Sequence, residues 1–327
     1  MKWLGSFLEN RMQQVVLDGE SSSKLPVVSG VPRGSVLGPL FFLVFINDLP
    51  ASVTSKTRLF ADDCILYRPI RHSSDCEILQ NDLDKLAQWE LKWGMQFHPA
   101  KCNSMSVTRS KTPFKHKYIL KGHTLESVDT AKYLGVTISS NMSWNTHISN
   151  ITSKAHKLLG FLRRNLQIKN EDTKSMAYKS LVRSNLEYCS TIWSPHTQKQ
   201  KYEIEKVQRR AAIYVTGRFH NTSSVTSMLD HLHWKPLETR RNIAKITMLY
   251  KISHNLVAIN PDLYITPQQS HTRHSHSLQF QTFSTTTDYF KYSFFPHTVV
   301  MWNALPPDIV AASTLDQFKT LIQTHFI

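Results

Sequence analysis

The hydrophobic and polar positions divide the chain into a mixed front, a helical middle and a looser tail. Near the front, Thr57 to Phe60 and Cys64 to Tyr67 are short β-prone runs separated by Ala61, Asp62 and Asp63, which predicts a hairpin with acidic residues at its tip. Leu79, Leu83, Leu86, Trp89 and Trp93 then recur at spacings of three and four. That period predicts a helix whose apolar stripe lies against the hairpin. Met105 and Val107 alternate with serines, and Tyr133 to Ile138 is short and β-branched, so two further strands are expected. From Ser143 the period is helical, with Ile148, Ile151, Ala155, Leu158, Leu162 and Leu166 on one face and Asn145 as a candidate N-cap.

Two more helical patterns follow, one around Ala177, Leu181 and Val182, the other around Ile204, Val207, Ala211 and Tyr214. Another covers 239–259. Residues 266–287, rich in Ser, Thr, Gln and His, are expected to form a long loop. The last helix carries Leu315, Phe318, Ile322 and Phe326 at helical spacing, with Ser313 and Asp316 at capping-box separation. The fold class is therefore α+β at the front and mainly α thereafter.

Charge changes the picture in one respect. The 327 residues hold 39 Lys+Arg and 24 Asp+Glu, a net +15. Residues 151–218 hold 14 basic and 5 acidic side chains, so +9 of that excess sits in the helical middle. Such a balance favours a polyanionic partner, nucleic acid first and an anionic membrane second. An aromatic content of 10% and 41% hydrophobic residues exclude a mainly disordered chain. Cys64, Cys76, Cys102 and Cys189 are scattered without a C-x-x-C pair, which argues against a disulfide framework or a zinc finger. The charged N-terminus is no export signal, and the longest apolar run, Pro39 to Ile46, is too short to span a bilayer. A soluble, intracellular protein of nucleus or cytoplasm, neither secreted nor membrane-bound, is expected.

Several strings carry candidate chemistry. GVPRGSVLGPLFFLVFINDLP, from Gly30 to Pro50, reads alone as a glycine-rich loop before a buried apolar segment, and equally as a phosphate-contacting loop. Phe60-Ala61-Asp62-Asp63 places two carboxylates on one tight turn, where mutual repulsion disfavours ionising both without a cation, and hard oxygen donors suit Mg²⁺. An Asp pair in a turn is otherwise an ordinary solvated feature. His271, His274 and His276 have the spacing of metal ligands but no accompanying cysteine or acid, so a solvated loop is the better reading.

Taken in order, GVPRGSVLGP, FADDCILY, WGMQFHPAKCNSM and KYLGVTIS resemble the reverse transcriptases of non-LTR (LINE-type) retrotransposons. The helical strings SWNTHISNITSKAHKLLGFLRRNL, LVRSNLEYCSTIWSP and VQRRAAIYVTGR are similar to the thumb and following region of such proteins, and FFPHTVVMWNALPPDIV to their C-terminal end. The resemblance implies an incomplete palm of antiparallel sheet and packed helices over 1–140, a basic helical thumb over 141–219 and an extension over 220–327. It implies two-metal nucleotidyl transfer, with Mg²⁺ held by Asp62 and Asp63. Arg33, Gly34, Ser35 and Phe60 would lie near incoming nucleotide and template. Lys101 would protonate pyrophosphate or be a plain surface lysine. Tyr133, Leu134 and Gly135 would hold the primer end or serve packing alone. Arg163, Arg164, Arg209 and Arg210, with Trp144, Tyr178 and Trp193 interleaved, resemble a basic helical surface with aromatics; some of the aromatics must be core, about half of the basic residues form a solvated face, and the other half would contact nucleic-acid phosphates. The implied partners are an RNA template, an RNA:DNA or DNA primer duplex, and dNTPs.

Two departures from the family pattern lower the expected activity. The family's further metal-binding Asp lies upstream of the Trp3-Leu4-Gly5 string, and Glu9, Asp18 and Glu20 do not fit its place. Arg33 stands where relatives carry Gln, and a donor-only guanidinium cannot reproduce an amide's paired contacts. Weak metal binding and no activity of the chain by itself are therefore expected. The alternatives are a non-catalytic nucleic-acid-binding remnant and a misbounded gene product whose true start lies upstream.

Overall fold

The computed structural model describes residues 2–27, 30, 34–220, 223–269 and 276–326. They form two units, residues 1–129 and 130–327. Helices and small sheets together make the chain α+β. Among the described residues every sheet has two strands, and no helix is long and apolar enough to cross a membrane.

Unit 1 opens with α1 (Lys2–Leu8), followed by two short antiparallel pairings, Met12–Gln13 with Leu25–Pro26 and Val16–Leu17 with Glu20–Ser21. The run from Pro39 to Ile46 is a helix, α2 (Gly38–Ile46), started by a proline in its first turn. Its composition is apolar on every side, yet only part of it is covered. Ile46 is buried, Phe42 and Phe45 pack on the core, and Leu40, Leu43 and Val44 each remain more than half exposed. The expectation of a buried apolar segment is corrected there.

The expected hairpin is present, with Lys56–Phe60 paired antiparallel to Asp63–Tyr67 in the register Lys56↔Tyr67 to Phe60↔Asp63. Alternation turns Leu59, Cys64 and Leu66 toward Leu86 and Trp89 of α3 (Ser73–Trp93), whose stripe runs as the spacing predicts. Gly94 ends α3 in the left-handed conformation, a helix stop that glycine adopts at no steric cost. Met105 and Val107 are not in a strand. Instead Asn103–Ser104 pairs in parallel with Glu126–Ser127, and Ile119–Leu120 turns back on His123–Thr124.

Unit 2 begins with a second hairpin, Thr130–Tyr133 with Val136–Ser139. The YLGVTI string thus crosses a turn at Leu134-Gly135 and is not one strand. Next comes α4 (Asn145–Asn165), then α5 (Glu171–Ala177), which passes through a π-helical segment Tyr178–Arg183 into α6 (Ser184–Glu187). The chain continues through α7 (Ser190–Trp193), α8 (Gln198–Thr216), α9 (Val225–His231) and α10 (Leu237–Ser253). It closes with α11 (Asp288–Lys291), α12 (Phe294–Asn303), α13 (Pro307–Val310) and α14 (Leu315–His325).

The caps differ from expectation by one position each. Asn145 is the first residue inside α4 and its side-chain oxygen accepts from Gln200 of α8 at 2.6 Å, so it is not the N-cap. Thr314, not Ser313, caps α14 by accepting from the Gln317 amide.

Unit 2 has two hydrophobic cores. Ile148, Ala155, Leu159 and Leu162 of α4 meet Ile204, Val207 and Ala211 of α8 in the first, and Tyr250, Trp302, Phe318 and Ile322 fill the second. Helix α10 serves both, sending Leu237 into one and Ile246 and Leu249 into the other. The polar stretch 266–287 is tied down where it is described. Gln268 donates to the Gln279 carbonyl and Gln281 to that of Thr266, both at 2.8 Å. His276 is buried with Nε2 3.2 Å from the Trp302 carbonyl, which corrects the reading of that histidine as solvated. His271 and His274 lie outside the described residues.

Candidate functional site

The tip of the first hairpin is the place where sequence and geometry concentrate carboxylates. Phe60 and Asp63 form the last cross-strand pair, leaving Ala61-Asp62 as a two-residue loop. Such a loop demands a left-handed residue, and Ala61 takes φ 49° without being glycine. Strain of this kind costs on the order of 1–3 kcal/mol and collects at functional turns. Asp62, Asp63 and Phe60 are exposed together, and neither carboxylate has a hydrogen bond or ion pair among the described residues.

The base of this hairpin is held by a residue that spacing arguments did not single out. Asp82 of α3 is fully buried and accepts from the Thr54 amide at 3.0 Å, the Thr54 hydroxyl at 2.9 Å and the Ser55 amide at 2.7 Å. Burial alone would raise its carboxyl, but these bonds outweigh burial and hold it well below the usual carboxylate range. Lys85 supplies a cation at 3.3 Å. Asp82 thereby clamps the two residues that lead directly into the strand ending at Phe60. Nearby, Trp89 donates to Asp48 at 2.9 Å, and the buried Glu90 accepts from the Phe97 amide and pairs with Lys121.

The other predicted residues lie in separate places. Arg33 is outside the described residues. Gly34 has φ 75°, and the Ser35 hydroxyl accepts from the Gly38 amide at 2.9 Å at the start of α2. Lys101 is exposed at the end of the short turn Pro99–Lys101.

Tyr133, Leu134 and Gly135 belong to the turn of the second hairpin, in unit 2. Leu134 has φ 45° and Gly135 φ 82°. Tyr188 covers this turn: its hydroxyl donates to the Leu134 carbonyl at 3.0 Å, and its ring would stand 3.0 Å from a Cβ added at Gly135. Only glycine therefore satisfies both the dihedral and the close approach. Tyr188 lies 54 positions from Leu134, so no local pattern points to it.

Arg163 and Arg164 are exposed in the last turn of α4, where they complement the helix dipole. Arg210 of α8 is exposed with Nη1 3.5 Å from Nδ1 of His156 on α4, and Arg209 is half-buried. Burial first, then the charges of Arg210 and Lys206, lower the imidazole of His156. The aromatic residues interleaved with these basic ones in the sequence pack inward, as expected for some of them. Tyr178 is fully buried and stacks on Trp234 at 4.5 Å, while Trp193 is fully buried and donates to the Tyr188 carbonyl at 2.7 Å. Trp144 packs on the same core.

The donors at the hairpin tip fit a divalent cation in kind but not in number. Two adjacent carboxylates are hard oxygen ligands. Among the described residues, however, no group of three or more His, Cys, Asp or Glu side chains is placed to hold a metal ion.

Residues 1–138 match the family model described as reverse transcriptase (RNA-dependent DNA polymerase). The chain is 28% identical over 226 residues to a probable RNA-directed DNA polymerase from transposon X-element of Drosophila melanogaster, covering 65% of this chain and 24% of that one. It is 27% identical over 225 residues to the RNA-directed DNA polymerase from mobile element jockey of the same organism, again 65% and 24%. A probable RNA-directed DNA polymerase from transposon BS is 28% identical over 273 residues, 78% of this chain and 30% of the relative. The matched region thus spans about a quarter of the length of these relatives. No solved structure matches the chain.

Proposed function

Because residues 1–138, the N-terminal part of this chain, belong to the reverse transcriptase family, we propose that they are part of the palm of an RNA-directed DNA polymerase of a non-LTR retrotransposon, with Asp62 and Asp63 as metal ligands. The observation that carries this reading is the pair of exposed carboxylates without hydrogen-bond or ion-pair partners among the described residues, set on a strained two-residue turn and fixed from below by Asp82. A divalent ion held there would supply charge stabilisation for phosphoryl transfer. The chain's own residues would supply two of its ligands, an anchored hairpin, and the exposed Phe60 beside them. Two carboxylates from one turn do not complete the ligand set, and among the described residues no third acid stands beside them. By themselves the residues present bind metal weakly and do not extend a primer.

Under this reading Gly34, Ser35 and Arg33 serve nucleotide and template, Lys101 the leaving pyrophosphate, and the Tyr133-Leu134-Gly135 turn the primer end. The functional division is palm over 1–140, thumb over 141–219 and extension over 220–327. A second reading, non-catalytic binding of an RNA or RNA:DNA duplex, is favoured by the excess of +9 over residues 151–218 and the exposed Arg163, Arg164 and Arg210. With the aromatics taken up by the core, contacts there run to backbone phosphates and carry little base preference.

Primer extension on an RNA template with Mg²⁺ and dNTPs tests the proposal, with duplex affinity measured alongside. The full chain is expected to bind duplex with a steep salt dependence, roughly −0.7 to −0.9 in log K per phosphate contact, and to add no nucleotides. Robust extension abolished by Asp62→Ala would keep the site assignment and overturn the inactivity. Extension unaffected by Asp62→Ala would overturn the assignment itself.

A further inference from the structure

Unit 2 carries a partly open pocket remote in sequence from the hairpin tip. Its volume is about 140 Å³, room for several water molecules. The wall comes from the segment after α7, the first turn of α8, one face of α10 and the start of α12. Glu238, Asn242 and Lys245 stand at helical spacing along α10, with Lys201 and His297 facing them. His196, stacked on Tyr292 at 4.3 Å and 3° between planes, closes one side.

The charges in this cavity do not balance. Lys245 is only 3% exposed, and its ammonium has one hydrogen-bond contact among the described residues, Nδ1 of His297 at 3.4 Å. The acid in the lining, Glu238, is already paired with Lys201 at 2.6 Å. One turn before Lys245, Arg241 is also buried, and its Nε and Nη1 have no hydrogen-bond partner among the described residues, with Glu238, Glu205 and Glu187 near enough to favour its charge. Burial, then the charges of Arg241 and Lys201, bring Lys245 down to about 8, against the opposing charge of Glu238. Burial and the neighbouring Lys245 bring His297 down to about 4. With Nδ1 accepting from Lys245, the neutral imidazole carries its proton on Nε2 and is a second donor. A buried ammonium without a carboxylate is costly unless an anion joins it.

We infer that this cavity is a binding pocket for a phosphate-class oxyanion, with the Lys245 ammonium as its principal contact and Asn242, His297 and Lys201 around it. The anion is either a free phosphate or the terminal phosphate of a nucleic-acid strand, and both present the same tetrahedral oxygens. This inference is independent of the role given to Asp62 and Asp63.

The test is binding of inorganic phosphate to the full chain at pH 7, with ionic strength held constant by chloride and followed by calorimetry. Saturable binding is expected, weakened about tenfold or more in Lys245→Met, the scale of one charge-assisted hydrogen bond. Asn242→Leu, at the half-buried rim, should fill the pocket and weaken binding while leaving Lys245 in place. In the unmodified chain the His297 imidazole resonances should move on titration, a readout that holds even if both variants fail to fold. Matched oligonucleotides with 5′-phosphate and 5′-hydroxyl ends distinguish the source. A preference for the phosphorylated end that disappears in Lys245→Met assigns the strand terminus. Phosphate binding with no such preference assigns the free ion. Absence of saturable phosphate binding, equal affinity in the variants, or unmoved His297 resonances would overturn the inference.

Discussion

The two units bury apolar surface to very different extents. In unit 1 the buried hydrophobic core around the hairpin is Ile46, Leu49, Leu86 and Trp89, while Leu40, Leu43 and Val44 of α2 and Val15, Val16 and Leu17 before it are exposed. In unit 2 one core extends from Val136 to Leu237 and another from Ile246 to Ile322, with Trp193, Trp302, Tyr178 and Phe318 almost wholly enclosed. Apolar burial contributes about 25 cal/mol per Å², so unit 2 has the larger hydrophobic stabilisation. Unit 1, which carries the candidate chemistry, depends more on specific polar ties: Asp82 to Thr54 and Ser55, Trp89 to Asp48, and Glu90 to Lys121 and Phe97. A site can therefore be positioned by a few buried hydrogen bonds where its surroundings supply little packing.

The largest expected effect lies in the well-filled unit. Trp302→Ala removes an indole packed against Tyr250, Phe280 and Phe318 and should cost about 3–5 kcal/mol, the range for emptying an aromatic site. Denaturant unfolding followed separately in each unit checks this. An equal shift of the unit 1 transition would break the distinction between them.

Next in size is Asp82→Asn, which leaves buried donors poorly matched and should destabilise unit 1 by about 2–3 kcal/mol. The sign with pH follows from the depressed folded value. Stability from Asp82 is fully present above the unfolded carboxyl's pKa of about 3.9 and is lost as pH falls below it toward the folded value. Acid titration of the wild type should show this loss, and the variant should lack it.

The smallest of the three is Gly135→Ala, expected to cost about 1–3 kcal/mol through its positive φ and the Tyr188 ring. A loss of similar size in Tyr188→Phe would mean that the tyrosine's hydrogen bond, and not the glycine's dihedral, holds that turn.

What could be read from the residues alone follows the range of the interactions involved. The acidic hairpin, the α3 stripe and helices α4, α8 and α14 were legible because period and turn residues are local. The turn within YLGVTI was not, since Leu134 adopts a left-handed φ that leucine gives no reason to expect and Tyr188 supports it from afar. Asn145 looked like a cap but bonds Gln200 instead. Asp82 and Lys245 sit on helix faces like any charged residue, and their burial depends on segments 27 and 52 positions away. Spacing shows that some aromatics between the basic residues must be core but not which, and the pairings of Tyr178 with Trp234 and of Trp193 with the Tyr188 carbonyl place those two there.

The proposed function requires that the exposed Asp62-Asp63 tip bind a divalent ion while the basic helices of unit 2 bind nucleic acid. Titration of Mn²⁺ into the full chain, with paramagnetic broadening of backbone amides as the readout, tests it most directly. Broadening centred on residues 60–64, absent in Asp62→Asn/Asp63→Asn and accompanied by unchanged duplex affinity, is the result predicted. Broadening centred elsewhere, or unaltered in that double variant, would contradict the account.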